Sequence, residues 1–350
     1  MITACGEGTG FFHYICMITE KQGTPMATET TATIMIMILC WIVLAALDAM
    51  VCGIISLAGW VTFKKAFLWG LTSLILPPIL IAYGSLVGRN RFEVTHVEME
   101  MDNLPAAFEG YRIVHISDIH ARSFIKREDK LAKAVGMINS LKPDLIVFTG
   151  DLITLSPDEL NTLSGTLSEL KAENGVMSIL GNHDYSIYSD ASPQQKEEHL
   201  KTLIAKEKAL GWDLLLDEHR IIRRGDDSIA VIGVQNTSPS RHFPSKGDLA
   251  KASEGTEGMF RILLSHDPMH WDAEIVGKDY PLTLSGHTHA MQMTIFGWCP
   301  SSLMFRQYRG HYKTGDQHLY VNIGLGETIF PVRIGARPEI TLITLKKRNY

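Results

Sequence analysis

The stretch Gly181-Asn182-His183-Asp184 decides how this chain is interpreted, because it directly follows an apolar run at 176–180. A short apolar run that ends at a glycine predicts a buried strand. Polar residues after such a strand lie at its carboxyl end, where α/β sheets place their binding sites. Asn182 offers an uncharged oxygen ligand, and His183 is a titratable ring beside it. The stretch is therefore typical of a metal site with an adjacent proton-transfer group.

Four more motifs follow short apolar runs in the same way: Asp118-Ile119-His120, Gly150-Asp151, His266 in Ser265-His266-Asp267-Pro268, and Gly286-His287-Thr288-His289. Side chains at positions i and i+2 of an extended segment share a face. Both ligands of a spaced pair are therefore expected to reach one metal ion. The glycines directly before the ligands, Gly150, Gly181 and Gly286, are expected to permit tight turns and close backbone approach.

The donor types indicate which ions this site would bind. Carboxylate and amide oxygens with imidazole nitrogens suit Mn²⁺, Fe or Zn²⁺, and no cysteine lies in any of the motifs. Two divalent ions that act together lie about 3.5–4 Å apart and need a shared ligand. Asp151 is the natural bridge, because it lies between the two ligand groups along the chain. Each motif alone is a weak signal, but all five in this order predict a dinuclear metal site.

The order of the predicted elements indicates the fold class. The 350 residues are enough for two domains, or for one large domain and a membrane segment. From residue 92 to about residue 210 apolar strands alternate with amphipathic helices, including one at 158–170, and strand then follows strand. This order predicts an α/β catalytic domain over residues 92–350, with two packed mixed sheets flanked by helices. The net charge of −5 predicts no nucleic-acid partner.

Residues 34–87 contain two long apolar runs, at 34–61 and 66–87. The only charged side chains of residues 34–87 are Asp48 in the first run and Lys64 and Lys65 between the runs. Each run reaches the roughly 20 residues that cross a bilayer core, so the pair predicts a transmembrane helical hairpin. Pro77-Pro78 should kink the second helix. Asp48 near mid-membrane is either functional, or protonated, or turned towards the second helix or another subunit.

The membrane face and the true start of the chain stay open at this point. Lys64 and Lys65 between the runs favour a cytoplasmic loop, whereas Arg89 and Arg91 after the second run favour the opposite orientation. Residues 1–33 form a polar segment that matches a signal peptide poorly, and Met26 is an alternative natural start to Met1.

Residues from about 110 to 345 resemble the calcineurin-like metallophosphoesterase family, whose motif order is Asp-x-His, Gly-Asp, Gly-Asn-His-Asp/Glu, His and Gly-His-x-His. Every signature position is filled. The membrane segment and the ending Gly324-Leu325-Gly326 … Arg333 … Arg337-Pro338-Glu339-Ile340 are similar to the bacterial membrane-associated branch. Members of that branch are described as phosphodiesterases or as hydrolases of UDP-2,3-diacylglucosamine.

The resemblance implies a role for each motif residue. One divalent ion would be bound by Asp118, His120, Asp151 and His289, and the other by Asp151, Asn182, His266 and His287. His183 would approach the leaving-group oxygen as a general acid or a stabilising cation, which its ordinary pKa near 6.5 permits. Asp184 and Asp267 are expected to orient histidines. Arg122 is a candidate for binding substrate phosphate, and the other basic candidates, Arg306, Arg309 and Arg333, are as readily surface arginines.

Together these expectations describe a phosphoesterase anchored in the cell (inner) membrane. A hydroxide that bridges the two ions would cleave a phosphodiester or pyrophosphate bond. The substrate would be lipid-linked, such as UDP-2,3-diacylglucosamine, since a linker of about a dozen residues holds the domain within roughly 40 Å of the bilayer. A soluble phosphoester substrate and a non-catalytic binding scaffold are the alternatives.

Overall fold

The computed structural model describes residues 25–70 and 75–348. These residues form two compact units. The first comprises the described residues up to Arg89 together with Ile329–Ile334, and the second comprises Asn90–Thr328 with the described residues from Gly335 onwards. The predicted polar segment is described only from residue 25, so the choice between Met1 and Met26 as the start lies outside the described residues.

The first unit contains three helices, α1 (Pro25–Leu57), α2 (Phe63–Gly70) and α3 (Leu76–Leu86). Helix α1 begins before the predicted start at residue 34. Within the described ranges, its stretch Met37–Leu57 alone is long and apolar enough to cross a membrane. The second predicted span, at 66–87, is divided between α2 and α3, and residues 71–74 lie outside the described ranges. A continuous second span, and with it the predicted hairpin, is therefore not shown.

Two expectations about individual residues of these helices are settled by their positions. Pro77 and Pro78 do not kink a helix but begin α3, where the missing backbone N–H has no helical partner to lose. Asp48 faces α2, because a Cβ atom placed on Gly70 would lie 3.1 Å from the Asp48 Cβ. The functional interpretation of Asp48 gains no support from this contact.

The segment Ile329–Ile334 packs closely on α3 within the first unit. The Arg333 N–H donates a hydrogen bond to the Gly84 carbonyl at 3.3 Å. A Cβ atom on Gly88 would lie 2.0 Å from the Arg333 carbonyl oxygen, so only glycine permits this approach. Arg333 itself is fully buried, which rules out its interpretation as a surface arginine.

The second unit is built on two six-stranded mixed sheets, as the sequence predicts. Sheet 1 has the order β1-β12-β2-β3-β4-β5, with β1 (Glu93–Met101), β2 (Arg112–Ile116), β3 (Leu145–Phe148), β4 (Val176–Ser178), β5 (Asp213–Leu214) and β12 (Glu339–Lys347). Sheet 2 has the order β10-β11-β9-β8-β7-β6, with β6 (Glu218–Arg224), β7 (Asp227–Gly233), β8 (Phe260–Leu264), β9 (Leu282–Ser285), β10 (Gly310–Thr314) and β11 (Gln317–Val321). Strands β2 to β5 run parallel, and so do β7, β8, β9 and β11.

The central strands are apolar throughout because both of their faces are buried. In β2, Ile113 packs in the layer between the two sheets, whereas Val114 packs on the helix side of sheet 1. The flanking helices are α4 (Glu128–Ser140), α5 (Ser164–Leu167), α6 (Pro193–Ala209) and α7 (Leu249–Ser253). The strands therefore hold their carboxyl ends in fixed positions between packed layers.

The continuous helix predicted at 158–170 is wrong. The chain forms a 3₁₀ turn at Pro157–Leu160 and the single turn of α5 instead. The leucines whose spacing suggested a helix, Leu160, Leu163, Leu167 and Leu170, are all buried. Separate turns bury these side chains as well as one helix would, so the spacing alone did not distinguish the two structures.

Two glycine substitutions test the packing of the sheets. Gly233→Ala should destabilise the second unit by about 1–3 kcal/mol, because the new Cβ would lie 2.4 Å from the Leu215 Cβ. Gly136→Ala should instead stabilise it by about 0.5–1 kcal/mol, since this position of α4 is exposed and has no atom within 4 Å of the new Cβ. Thermal unfolding of the purified full chain measures both shifts. A Gly233→Ala variant as stable as the wild type would contradict the inter-sheet packing.

Candidate metal centre

The predicted ligands all lie in loops that follow parallel strands. In sheet 1, Asp118 follows β2, Asp151 follows β3 and Asn182 follows β4. In sheet 2, His266 follows β8, and His287 and His289 follow β9. His120 lies in the same loop as Asp118. The loops from the two sheets contact each other, and this contact brings the predicted ligand residues together.

Asp118, His120 and His289 form one buried group, with ligand atoms within 4.8 Å of one another. The His289 Nε2 lies 3.2 Å from the Asp118 Oδ1 and 3.1 Å from the His120 Nε2. Ring nitrogens and a carboxylate oxygen that face one another at this distance can hold a cation between them.

Asp151, His266 and His287 form a neighbouring group around the His266 Nε2. This nitrogen lies 3.1 Å from the Asp151 Oδ2, 3.1 Å from the Asn182 Oδ1 and 3.2 Å from the His287 Nδ1. The His266 Nδ1 donates to the Thr149 carbonyl at 2.7 Å, which directs the Nε2 lone pair towards the group.

Asp151 lies where the two groups adjoin. Its Oδ2 is 3.7 Å from the Nε2 of His120 in the first group and 3.1 Å from the Nε2 of His266 in the second. The carboxylate can therefore contact ligands of both groups, as a bridging residue must.

His183 lies beside these groups and, like His287, is only partly buried. Its Nδ1 donates to the Thr154 carbonyl at 2.9 Å, because a carbonyl can only accept. The Nε2 is therefore the nitrogen that can exchange a proton with a bound molecule. The His183 ring meets the His120 ring edge to face, with 4.7 Å between the centroids.

The loops reach this arrangement through a left-handed backbone rather than the extended one that the sequence suggested. Positive φ values occur at Asp118 (48°), His120 (43°), Asp151 (61°), His287 (75°) and His289 (50°). The expected extended segment is therefore wrong. Asp118 and His120 still lie in one group, whereas His287 and His289, which were expected to reach one ion, lie in different groups. Non-glycine residues adopt this conformation at a cost of order 1–3 kcal/mol each, and such residues cluster at functional sites.

The glycines before the ligands allow the close approach that the sequence predicts. A Cβ atom on Gly181 would lie 2.2 Å from the Asp151 Oδ1, and one on Gly286 would lie 1.9 Å from the Ser117 Oγ. Gly150 has a φ of +92°, and a Cβ atom on it would lie 2.5 Å from the Gly181 nitrogen. These positions admit no side chain without displacing a ligand loop.

Asp184 binds backbone groups instead of orienting a histidine. Its buried carboxylate accepts hydrogen bonds from the N–H groups of Gly181, Asp151, Leu152 and Ile153, at 2.8, 2.8, 2.9 and 3.1 Å. The loops after β3 and β4 are thereby joined at Asp151 itself and at the two residues that follow it.

Glu159 stabilises a loop of the site, although it lies in none of the five sequence motifs. Its carboxylate accepts hydrogen bonds from the N–H groups of Thr154, Leu155, Ser156 and Arg122, at 2.7, 2.7, 3.2 and 3.1 Å. Glu159 thus shapes the loop whose Thr154 carbonyl accepts from His183. The Ser-x-x-Glu spacing of Ser156 and Glu159 is a capping box, which is a sequence signal for this role.

The arginines named from the sequence differ in their surroundings. The backbone N–H of Arg122 donates to Glu159, and a phosphate-binding role for its side chain stays a prediction. Arg306 pairs with Asp272 at 3.4 Å, and Arg309 donates to the Thr294 hydroxyl at 3.2 Å. Neither of these two contacts involves a predicted metal ligand.

The charges of the buried groups favour a cationic occupant. Burial alone raises the pKa of Asp151, but the charge of His266 outweighs it and holds that pKa well below its ordinary value. Burial lowers the pKa of His266, but the Asp151 carboxylate outweighs this effect and raises it to about 10, so the surroundings favour positive charge at this ring. A metal ion on the Nε2 would take the place of that proton. Ionised carboxylates, an amide oxygen and imidazole nitrogens form a donor set that fits Mn²⁺, Fe or Zn²⁺.

Comparisons with known proteins agree with this geometry. Residues 111–291 match the calcineurin-like phosphoesterase family model. YkuE of Bacillus subtilis (strain 168), an uncharacterized metallophosphoesterase, is 33% identical over 82% of this chain and 98% of that protein. A transmembrane protein with metallophosphoesterase domain from Danio rerio is 32% identical over 79% of this chain, which spans 62% of that protein. The UDP-2,3-diacylglucosamine pyrophosphatase LpxG of Chlamydia muridarum (strain MoPn / Nigg) is 25% identical over 64% of this chain and 78% of that protein. This chain therefore belongs to the calcineurin-like phosphoesterases and is a metal-dependent hydrolase.

Proposed function

We propose that this protein is a membrane-anchored phosphoesterase that uses two divalent metal ions to hydrolyse a phosphodiester or pyrophosphate bond in a lipid-linked substrate. UDP-2,3-diacylglucosamine is the model for that substrate. The observation that carries the proposal is the meeting of two adjoining ligand groups at Asp151, with the half-buried His183 beside them.

The two groups divide the ligands between the ions. We assign Asp118, His120 and His289 to the first ion, Asn182, His266 and His287 to the second, and Asp151 to both. When bound, two divalent ions supply positive charge that stabilises a phosphoryl transition state and they acidify the water that attacks phosphorus.

The protein contributes orientation and proton transfer. The Thr154 carbonyl holds the His183 Nδ1, and the Asp151 Oδ1 accepts from the His183 backbone N–H at 2.8 Å. His183 is therefore held at its ring Nδ1 and at its backbone N–H, and its Nε2 can donate a proton to the leaving-group oxygen. The residue is half-buried, whereas the carboxylate ligands are buried.

The membrane part of the proposal is supported by different observations. Helix α1 includes a stretch that is long and apolar enough to span a bilayer. The Danio rerio relative is named a transmembrane protein, and LpxG is named a pyrophosphatase of a diacylated sugar nucleotide. A lipid-linked substrate would gain local concentration from an enzyme held in the same membrane. We place the protein in the cell (inner) membrane on these grounds.

Hydrolysis assays distinguish the proposal from two alternatives, an enzyme for soluble substrates and a non-catalytic binding scaffold. The purified full chain should hydrolyse bis(p-nitrophenyl) phosphate with Mn²⁺, and chelation should abolish turnover. Activity on this soluble diester with none on lipid-linked diesters would favour a phosphodiesterase or phosphatase of soluble substrates. No turnover with any divalent metal would favour a binding scaffold.

Asp151→Asn should reduce turnover more than any other single ligand substitution, because it weakens the sites of both ions at once. Bound metal should fall from about two ions per chain towards one or none. Elemental analysis with steady-state kinetics measures both quantities, and Asp158→Asn, at the exposed position of the 3₁₀ turn, is the matched control. Two retained ions with near-normal turnover would refute the bridging assignment.

His183→Ala should retain its metal ions while kcat falls by roughly 10²–10⁴, the range expected for a lost general acid. The loss should be smaller for substrates that release p-nitrophenol, because a good leaving group needs little protonation. Kinetics across a series of leaving groups measures the effect. An equal loss for all leaving groups would show that His183 does not protonate the leaving group.

The amphiphile proposal predicts that substrate in the same membrane is preferred. The full chain, reconstituted in liposomes, should cleave a lipid-linked diester embedded in those liposomes faster than the same diester in separate liposomes. A water-soluble diester, added at one concentration to both mixtures, should react equally in each and serves as the control. Equal cleavage of the lipid-linked diester in the two mixtures would mean that α1 gives the enzyme no kinetic advantage.

A further inference from the structure

A cluster of large apolar side chains lies in solvent on the second unit, within ten residues of one another. Phe296 is wholly exposed, at 106% of its reference area, and Leu303 is 77% exposed. Ile295, Trp298 and Met304 are also exposed. Single exposed apolar residues are ordinary, but a cluster of this size marks an interaction surface.

The backbone presents this cluster in a defined hairpin. Ile295 and Trp298 exchange backbone hydrogen bonds of 2.8 and 2.9 Å, which close a two-residue turn at Phe296 and Gly297. Both turn residues have positive φ, 49° for Phe296 and 83° for Gly297, as a type I′ turn requires. Phenylalanine adopts this conformation at a cost of about 1–2 kcal/mol. None of the described residues buries the Phe296 ring and offsets that cost, which favours a benefit from outside the described part of the chain.

The hairpin is fastened to the loop that carries the metal ligands. The Cys299 thiol donates to the carbonyl of Ala290 at 3.2 Å, and Ala290 directly follows His289. A Cβ atom on Gly335 would lie 2.0 Å from the Thr294 carbonyl oxygen, so the base of the hairpin is tightly packed. Phe305, a few residues further on, lies with its ring centroid 5.7 Å from that of His287. The exposed cluster is therefore held in a fixed position relative to the metal centre.

The chemistry of the cluster and of the whole chain favours a lipid surface over a protein surface. The same chain carries the apolar stretch Met37–Leu57, which is suited to a bilayer core. Tryptophan with phenylalanine and leucine is the composition of segments that insert at the boundary between headgroups and acyl chains. Arg306, with its side chain 83% exposed, lies close by in the sequence, and its ion pair with Asp272 is a water-screened contact that adds little stability. Such an arginine can pair with lipid phosphate instead.

We propose that the apolar loop, defined as residues 295–298 with Leu303 and Met304, inserts into the headgroup–acyl boundary of a phospholipid bilayer. Insertion holds the loop after His289 at the lipid surface. A lipid-linked diester could then reach the metal centre without leaving the bilayer. This consequence, though not the insertion itself, rests on the proposed function.

Photo-crosslinking in the intact protein tests the insertion directly. The full chain, with benzoylphenylalanine in place of Phe296, is reconstituted in phosphatidylethanolamine–phosphatidylglycerol liposomes and irradiated. The matched control carries benzoylphenylalanine in place of Val276, another exposed apolar residue of the second unit. Mass spectrometry should find lipid adducts at position 296 at about five times the control yield or more. Equal yields would overturn the proposal, and so would crosslinks from position 296 to a second copy of the chain.

Kinetics separates this inference from the proposed function. The double variant Phe296→Ser with Trp298→Ser should lower the ratio of lipid-linked to soluble diester hydrolysis about tenfold, because it removes the inserting rings. Val276→Ser should leave that ratio unchanged, and retained metal content shows that the double variant is folded. An unchanged ratio in the double variant, beside a wild type that cleaves both substrates, would overturn the inference alone. A wild type that hydrolyses neither diester would overturn the proposed function, and lipid adducts at position 296 would still support the insertion.

Discussion

The four backbone hydrogen bonds to the Asp184 carboxylate are the interaction on which the metal centre depends. They join the loops after β3 and β4, and those loops carry the proposed bridging carboxylate Asp151, the proposed amide ligand Asn182 and the proposed proton donor His183. Burial, together with the nearby Asp151 charge, raises the pKa of Asp184 to about 7, and the hydrogen bonds from the backbone N–H groups act in the opposite direction and favour its ionised form. The bonds also orient the Asp151 backbone, and the side-chain Oδ1 of that residue in turn accepts from the His183 N–H. Ligand position and proton-donor position are thus set by one connected network.

The two sheets supply the rigidity that this network requires. The layer between them is filled by side chains from both sheets, so the loops at their carboxyl ends cannot shift independently. Contacts between loops then bring donors from both sheets together. The His266 ring donates to the Thr149 carbonyl, and the His287 N–H donates to the Asp118 carboxylate. Neither sheet alone holds a complete ligand set, which explains why the motifs are spread over so much of the sequence.

Much of this arrangement could be predicted from the sequence because buried parallel strands are apolar runs and their ends are marked by glycine. Apolar runs located β2, β3, β4, β8 and β9, and a glycine marks the end of β3, β4 and β9. The predicted ligands follow these strands. The left-handed conformations of Asp118 and His287 could not be predicted, because the loops adopt them to satisfy contacts with residues that are distant in the sequence. The broken helix at 158–170 was missed because buried leucines have similar spacing in either structure. The exposure of the Phe296 ring could not be predicted either, because its sequence neighbours are as apolar as a buried strand.

The free-energy cost of the strained backbone and buried charges at the metal centre argues for a catalytic role and against a binding scaffold. Five of the proposed ligands have a left-handed backbone, which costs of order 1–3 kcal/mol at each residue. Asp118 and Asp151 are also buried among imidazoles, where ionised groups are stable only with opposite charge nearby. A scaffold that binds partners through its surface would become more stable by losing these features, and nothing in its role would preserve them. Proteins depart from local conformational preferences mainly at functional sites. The strain and the buried charge meet at one place in this chain, and His183 lies beside it.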